Sequence, residues 1–406
     1  MDEARTIVIV GANLTGGAAA STLREEGFEG RVVLIGDEPH APYERPPLSK
    51  EYLRGEKEFD ATFLRPPAWY AEAGVELRTG HRARRIDPDA RVVELDGGER
   101  VPYDRVLVAT GGRNRRLSVP GHDLEGVLGL RTREDADRIR AEARPGRTAV
   151  VIGAGFIGSE VAASLRQLGV EVDVVEIFDT PLFRTLGPEV GKVFEGIHRD
   201  HGVRLHLGDD VAAFRGRGRV EEVVTRRGAR LGCDLVVVGI GIEPVTEVVE
   251  ATPVVVDNGI VVDEFCRTNV DGIYAAGDVA NHDHPLFGRI RVEHWDNALK
   301  QGAAAARNMM GRPEAFEDPH WFWSDQYEFN LQCMGVAPEW DEFVVRGSLE
   351  DRDFLGFYLK DEAVKAVVGL NRGKEVRRSS AMIRRGGRVD PRALRDEDVD
   401  VRRLSA

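Results

Sequence analysis

The sequence contains one pattern twice: an apolar strand, a glycine-rich turn, a helix of small residues and a second apolar strand. The first copy spans residues 6–36 and the second spans residues 148–176. Two parallel strands joined by a helix form a βαβ unit, and its glycine turn brings backbone N–H groups close to a pyrophosphate. Because the copies lie far apart, the sequence predicts an α/β protein with two Rossmann-like dinucleotide-binding domains, not one duplicated sheet.

The second turn has the complete glycine spacing and an acidic residue at the end of its closing strand. The turn reads Gly153-Ala154-Gly155-Phe156-Ile157-Gly158. We expect the acid, Glu176, to accept hydrogen bonds from the adenosine ribose hydroxyls and to repel a 2′-phosphate. The next two residues are Ile177 and Phe178, so Glu176 is not followed directly by an arginine that could bind a 2′-phosphate. The pattern therefore favours NADH over NADPH.

The first turn departs from this spacing at one position. It reads Gly11-Ala12-Asn13-Leu14-Thr15-Gly16, with asparagine where the second glycine is expected. The Asn13 side chain would either crowd a pyrophosphate or donate an amide hydrogen bond to a phosphate oxygen. Asp37 follows the closing strand, and we expect its carboxylate to bind the ribose of the dinucleotide held at this first turn.

Composition excludes several classes of function. The 406 residues carry a net charge of −13, which argues against broad nucleic-acid binding. Its three cysteines lie far apart, so we expect no disulfide framework, no metal site and a reducing, cytoplasmic setting. Apolar runs fall short of the roughly 18–20 residues that span a bilayer. The start enters an apolar strand after acidic residues, unlike a signal peptide.

Six further sequence blocks lie along the chain: YERPPLSK at 43–50, ATGG at 109–112, LRT at 130–132, AAGDV at 275–279, VEHWDNA at 292–298 and WFWSDQY at 321–327. They resemble blocks of FAD-dependent, NADH-using ferredoxin reductases, which serve bacterial ring-hydroxylating dioxygenases and haem monooxygenases. The resemblance covers nearly the whole chain, and the last two blocks are the most specific.

The resemblance implies the fold of glutathione reductase. A discontinuous FAD domain would comprise residues 1–111 and 243–320, and an NAD domain would be inserted at 112–242. Residues 321–406 would form a C-terminal α+β domain that supplies an interface.

The resemblance also implies which residues hold the two cofactors. Lys50 would lie at the flavin, Arg131 near the phosphates, Asp278 on the ribityl chain and Trp295 beside the isoalloxazine, while Ala83 would contact adenine and Arg45 the pyrophosphate. The remaining FAD residues would be Gly11, Ala12, Asn13, Thr15, Gly16, Asp37, Ala109, Thr110 and Gly111. NADH would be held by Gly153, Gly155, Phe156, Ile157, Gly158, Glu160, Glu176 and Gly241.

Two residues are candidates for the chemistry itself. We expect Glu160, in the first turn of its helix, to form an ion pair with Lys50 beside the flavin. Lys50 would stabilise the negative charge of the reduced flavin, and Glu160 would orient Lys50 and contact the nicotinamide carboxamide. The alternative is an ordinary lysine and a glutamate favoured by a helix N-terminus. Phe156 is either a gate over the nicotinamide or a plain hydrophobic contact.

The cysteines restrict how electrons would leave the flavin. The segment from Pro46 to Lys50 contains no cysteine, and Cys233, Cys266 and Cys333 do not form a redox pair. We expect all three to be buried structural thiols. Electrons would then pass directly from the flavin to an acceptor.

The resemblance implies a small iron–sulfur ferredoxin as that acceptor, docked transiently by electrostatic attraction, with the protein a monomer or weak homodimer. The basic segment 372–388, extended by Arg307 and Arg312, is either the docking surface or a solvated face. Other acceptors stay open: rubredoxin, a quinone, oxygen or nitrite reductase. A redox-sensing interaction protein resembling apoptosis-inducing factor is a further alternative.

Overall fold

The computed structural model describes residues 5–404, and the chain divides into two compact units. Within the described residues, the first unit comprises residues 5–44, 59–113 and 243–320, and the second comprises residues 45–58, 114–242 and 321–404. The division into FAD, NAD and C-terminal domains stays a prediction.

Short strands dominate the described residues. The α-helices are α1 (Leu14–Glu25), α2 (Glu51–Arg54), α3 (Pro67–Glu72), α4 (Arg133–Glu142), α5 (Phe156–Gln167), α6 (Phe183–Asp200), α7 (Trp295–Met309), α8 (Gly373–Arg378), α9 (Ser380–Arg385) and α10 (Pro391–Arg395). The strands are β1 (Thr6–Val10), β2 (Arg31–Ile35), β3 (Val75–Arg78), β4 (Ala83–Asp87), β5 (Val92–Leu95), β6 (Arg100–Pro102), β7 (Arg105–Val108), β8 (Gly112–Asn114), β9 (Val127–Gly129), β10 (Thr148–Ile152), β11 (Glu171–Glu176), β12 (Arg204–Leu207), β13 (Val211–Arg215), β14 (Glu222–Thr225), β15 (Arg230–Gly232), β16 (Leu235–Val238), β17 (Ile242–Pro244), β18 (Ile260–Val262), β19 (Ile273–Ala275), β20 (Ala280–His284), β21 (Gly288–Arg291), β22 (Trp321–Gln326), β23 (Phe329–Gly335), β24 (Glu342–Ser348), β25 (Asp353–Lys360) and β26 (Ala363–Leu370).

The first unit is built on a parallel sheet with strand order β19-β7-β1-β2-β3. Its strands are almost wholly apolar because both faces are covered. Ile9 and Leu34 pack against α1 and α7 on one face, while Val8 and Val33 lie in a second cluster on the other. All four side chains are fully buried. The glycine turn at Gly11 therefore begins at the carboxyl end of a buried central strand.

The second unit contains two five-stranded sheets. The parallel sheet has strand order β12-β11-β10-β16-β9, and the antiparallel sheet has the order β22-β23-β26-β25-β24. The long helix α6 covers the antiparallel sheet, where Phe194 and Ile197 share a core with Phe354 and Val368. Parallel strands with crossover helices and a separate antiparallel layer confirm the predicted α/β fold class.

Two short helices follow one another in the C-terminal segment. Helix α8 ends at Arg378 and α9 begins at Ser380, with a break at Ser379. The buried Ser379 hydroxyl donates to the Glu375 carbonyl at 3.0 Å. A hydroxyl bonded back to its own helix competes with the backbone ladder, which favours a break at this position.

The sequence analysis missed α6 and β23. A glycine with positive φ followed by proline, Gly187-Pro188, interrupts the first part of α6.

None of the helices within residues 5–404 has the length and apolar character needed to cross a membrane.

Candidate functional site

The second glycine turn joins β10 to α5, and two of its glycines are required by the chain itself. Gly153 has φ +92°, and a Cβ there would lie 2.6 Å from the Gly239 carbonyl oxygen. A Cβ on Gly158 would lie 1.9 Å from the Gly153 carbonyl oxygen. No larger residue fits at either position without moving backbone.

Gly155 is different, because nothing in the described part of the chain requires glycine there. Its φ of −71° suits any residue, and a Cβ there would meet no described atom within 4 Å. It is the N-cap of α5, where backbone N–H groups point out of the helix. The missing side chain leaves open space at these donors. This space fits the pyrophosphate of a dinucleotide.

The carboxylate of Glu176 organises the same turn. It is buried, and its Oε2 accepts from the Ala154 amide at 2.5 Å while Oε1 accepts from the Phe178 amide at 3.0 Å. Each carboxylate oxygen has a second acceptor site, so both hydrogen bonds leave capacity for a ribose hydroxyl. Ile177 beside it is exposed. Gly241, on the loop after β16, has φ +92° and open space around its Cα.

The first glycine turn uses asparagine as a helix cap. Asn13 Oδ1 accepts from the amides of Thr15 at 3.1 Å and Gly16 at 3.4 Å. Its Nδ2 donates to the Ala109 carbonyl at 2.5 Å. The side chain therefore fastens the turn to the end of β7, and its amide, which one of the two alternatives directed at a phosphate oxygen, donates to the protein backbone.

Several predicted FAD residues meet around this turn. Gly11, with φ +119°, packs so tightly that a Cβ would lie 2.2 Å from the Ala109 carbonyl oxygen. A Cβ on Gly277, next to Asp278, would lie 2.2 Å from Thr15 Oγ1. The other predicted residues of this unit are Ala12, Gly16 and Thr110 near the turn, Gly111 with φ +66°, Asp37 exposed after β2, Ala83 at the start of β4, and Trp295 at the start of α7.

A buried ion pair lies beside the second turn. Lys50 Nζ is 2.6 Å from Glu160 Oε2, and the two side chains are only 6% and 3% exposed. Lys50 follows a 3₁₀ turn at Pro46–Ser49, and Glu160 lies on α5. The expected ion pair is present. Glu160 lies in the second turn of its helix instead of the expected first turn, because α5 begins at Phe156.

Two serines complete the surroundings of Glu160. Ser49 Oγ donates to Oε2 at 2.5 Å, and Ser324 Oγ donates to Oε1 at 2.7 Å. Burial of both charges is costly unless hydrogen bonds satisfy the remaining polar atoms, and these serines do so. The sequence analysis missed both serines, although each lies inside a block that carries the resemblance.

The two predicted phosphate arginines are neighbours. Arg45 Nη1 donates to the Arg131 carbonyl at 2.5 Å. The Arg131 amide donates to Asp135 Oδ2 at 3.0 Å, next to the capping box of α4. The backbone at Arg131 is thus fixed by its neighbours. The ring of Phe156 packs edge-on against Phe322 with centroids 4.8 Å apart, so the hydrophobic contact, one of the two alternatives for Phe156, is present.

Sequence comparison places this geometry in a known family. Residues 5–302 match the family described as pyridine nucleotide-disulphide oxidoreductase, and residues 321–405 match the reductase C-terminal domain. The chain belongs to the pyridine nucleotide-disulphide oxidoreductase family. The suspected resemblance to ferredoxin reductases is confirmed by the relatives below.

The oxidoreductase has relatives that match over almost their whole length. It is 39% identical over 403 residues to the 5,5'-dehydrodivanillate O-demethylase ferredoxin reductase subunit of Sphingobium, covering 98% of each chain. It is 37% identical to putidaredoxin reductase of Pseudomonas putida, covering 100% of this chain and 98% of the relative.

Solved structures agree with this assignment. The covalent putidaredoxin reductase–putidaredoxin complex superposes with a TM-score of 0.96 at 37% identity, covering 99% of this chain and 98% of that chain. The ferredoxin reductase of the CYP199A2 system from Rhodopseudomonas palustris gives 0.95 at 36% identity, covering 99% and 100%.

The cofactors of this oxidoreductase are FAD and NAD(H), as its family and relatives imply. Its residues fit such groups: the second turn leaves open space at Gly155, and the first turn is a close-packed strand-to-helix corner that only glycine permits at Gly11. Which residue holds which cofactor atom stays a prediction.

This oxidoreductase has no redox cysteine pair at the Lys50 segment, despite the disulphide in its family's description. Residues 45–58 contain no cysteine. Cys266 and Cys333 are buried, whereas Cys233 is only partly buried, which corrects the expectation for that residue. Burial raises the pKa of Cys233 and of Cys333 to about 12, so both thiols are protonated and unreactive at neutral pH.

Proposed function

We propose that this oxidoreductase passes electrons from NADH through FAD to a small iron–sulfur ferredoxin that feeds an oxygenase. The observation that carries the proposal is the buried Lys50–Glu160 pair, in which Glu160 lies on the same helix as the open Gly155 cap. The relatives named as ferredoxin reductase components support the acceptor class. A cytoplasmic location and a monomeric or weakly dimeric state belong to the same proposal.

Bound FAD would supply the change from two-electron to one-electron transfer, since a flavin accepts a hydride and releases electrons singly. The chain's own residues hold and tune it. The Lys50 ammonium stabilises negative charge, and Glu160 keeps that ammonium in place through a 2.6 Å contact. Arg45 and Arg131 would hold phosphates, and Asp278 and Trp295 would hold the ribityl and ring portions.

The nicotinamide nucleotide would bind at the second turn. Glu176 accepts ribose hydroxyls and repels a 2′-phosphate, so NADH is preferred over NADPH. Phe156 and Ile157 would exclude water from the nicotinamide, and Glu160 would contact its carboxamide. Because the Lys50 segment contains no cysteine, electrons leave without a disulphide relay.

A basic surface on α8 and α9 would receive an acidic ferredoxin. The following cationic side chains are exposed: Lys374, Arg377, Arg378, Arg384, Arg385 and Arg388. Arg377 donates to Gln332 Oε1, which also accepts from Trp321, so the surface adjoins the stacked Trp321–Trp323 pair. Arg372 is already paired with Asp353 and Glu397. Both Arg307 and Arg312 pair with Glu26, which weakens their part in docking.

The proposal is tested with FAD-loaded protein, NADH and a panel of purified ferredoxins, using cytochrome c as the final acceptor. We expect cytochrome reduction to require ferredoxin and to be much faster with NADH than with NADPH. Reduction of quinone, rubredoxin or oxygen at rates above every ferredoxin would support the alternative acceptors instead. A reduced flavin that persists in a stable complex with NAD⁺ would support the redox-sensor alternative.

A further inference from the structure

One partner of Glu160 comes from the antiparallel sheet, far along the chain from the Lys50 segment. Lys50 and Ser49 both donate to Oε2, whereas Ser324 on β22 donates to Oε1 at 2.7 Å. Among the described residues, no other side chain donates to Oε1. Ser324 therefore decides how the second oxygen of the carboxylate is held.

The Ser324 hydroxyl is itself oriented by a neighbour on the same strand. Gln326 Nε2 donates to Ser324 Oγ at 3.1 Å. Both side chains lie on the buried face of β22, with Ser324 1% and Gln326 0% exposed. Because a hydroxyl has one proton, accepting from Gln326 leaves that proton for Glu160.

We propose that Ser324 is a positioning residue, which fixes the Glu160 carboxylate and through it the Lys50 ammonium for electron transfer at the flavin. The inference rests on the proposed function, because only there do Lys50 and Glu160 act on the cofactors. The antiparallel sheet would then contribute to the reduction of the flavin by NADH, in addition to any role in docking a partner.

Loss of the Ser324 hydroxyl would leave Glu160 Oε1 buried without a donor. A buried carboxylate oxygen in that position either turns towards another donor or draws in water. Either change shifts Oε2 as well, since the two oxygens are rigidly joined, and Oε2 is the atom that holds Lys50. The ammonium then loses its fixed position.

The test compares Ser324→Thr with Ser324→Val in FAD-loaded protein. The two side chains have nearly the same shape, so any overpacking is common to both and only the hydroxyl differs. We measure the rate of flavin reduction at saturating NADH without oxygen, and the flavin midpoint potential. We expect the flavin of the threonine variant to be reduced by NADH about tenfold faster than the flavin of the valine variant. The flavin midpoint potentials of the two variants should also differ.

The same pair of substitutions, combined with Glu160→Gln, tests whether Ser324 acts through the carboxylate charge. The difference between threonine and valine should shrink in the presence of Glu160→Gln, because the acceptor is then neutral. The inference would be overturned if the threonine and valine variants had equal rates and potentials when Glu160 is intact. It would also be overturned if their difference were just as large in the presence of Glu160→Gln. Failure of the proposed function is distinct, since the FAD-loaded wild-type protein would then not be reduced by NADH.

Discussion

At the scale of single residues, the Lys50–Glu160 pair is the feature that separates this site from a plain dinucleotide fold. Lys50→Ala is expected to slow flavin reduction by NADH by about 10² to 10³, the usual cost of losing one preorganised charge-stabilising donor. Stopped-flow absorbance without oxygen measures the rate. Lys360→Ala is the control, because Lys360 forms an exposed pair with Asp341. A wild-type rate in Lys50→Ala would remove Lys50 from the mechanism.

One residue, Glu176, is also expected to determine the preference for NADH over NADPH. Glu176→Gln removes a negative charge but keeps an oxygen for the Ala154 amide, which Glu176 now holds at 2.5 Å. Repulsion at about 4 Å is worth ~1 kcal/mol even in water, so kcat/KM for NADPH should rise about fivefold relative to NADH. An unchanged ratio would show that Glu176 does not face the 2′ position.

At the scale of elements, Asn13 caps α1 and fastens the first turn to β7. Asn13→Ala loses both functions, whereas Asn13→Ser keeps an N-cap oxygen. Because loss of an N-cap costs about 1 kcal/mol, we expect the alanine variant to bind FAD about fivefold more weakly than the serine variant. Titration of the FAD-free protein measures both affinities. Equal affinities would mean that the cap does not preorganise the turn.

The elements also show how far sequence reasoning reached. Both glycine turns were predicted in place, since close packing at Gly11, Gly153 and Gly158 leaves a local signal in the sequence. Ser324 was not, because its partner Glu160 lies 164 residues away and no local pattern links them. By contrast, most of α6 carries a local signal, since Val190, Val193, Phe194 and Ile197 recur at helical spacing after Pro188.

At the scale of the whole molecule, buried neutral histidines make stability depend on pH. Burial lowers the pKa of His198 and of His282 to about 4, and that of His320 well below its usual value. The unfolded chain binds protons at these groups below about pH 6.5, and the folded chain does not. Their contribution is therefore present above that pH and lost as pH falls towards 4.

Thermal unfolding of the FAD-loaded protein at a series of pH values checks this dependence. The Tm should fall steadily between about pH 6.5 and 4, and His282→Gln should flatten that part of the curve. A curve of unchanged slope in the variant would contradict the assignment of His282 as a neutral buried group.

Docking is the other property of the whole molecule, because a local basic surface must act against a net charge of −13. Reversal of Arg384 and Arg385 to glutamate should slow ferredoxin reduction at least about tenfold at low salt and leave flavin reduction by NADH unchanged. Arg217→Glu, a charge reversal at an exposed residue after β13, is the control. Added salt should slow the wild-type protein. A flat salt response would contradict electrostatic docking.

The most direct test of the central claim is double-mixing stopped flow. The FAD-loaded protein is first reduced with one equivalent of NADH without oxygen, and then mixed with an oxidised ferredoxin. We expect the flavin to be reoxidised at least as fast as steady-state turnover, while two equivalents of ferredoxin are reduced. A reduced flavin that persists in the presence of every ferredoxin offered would contradict it.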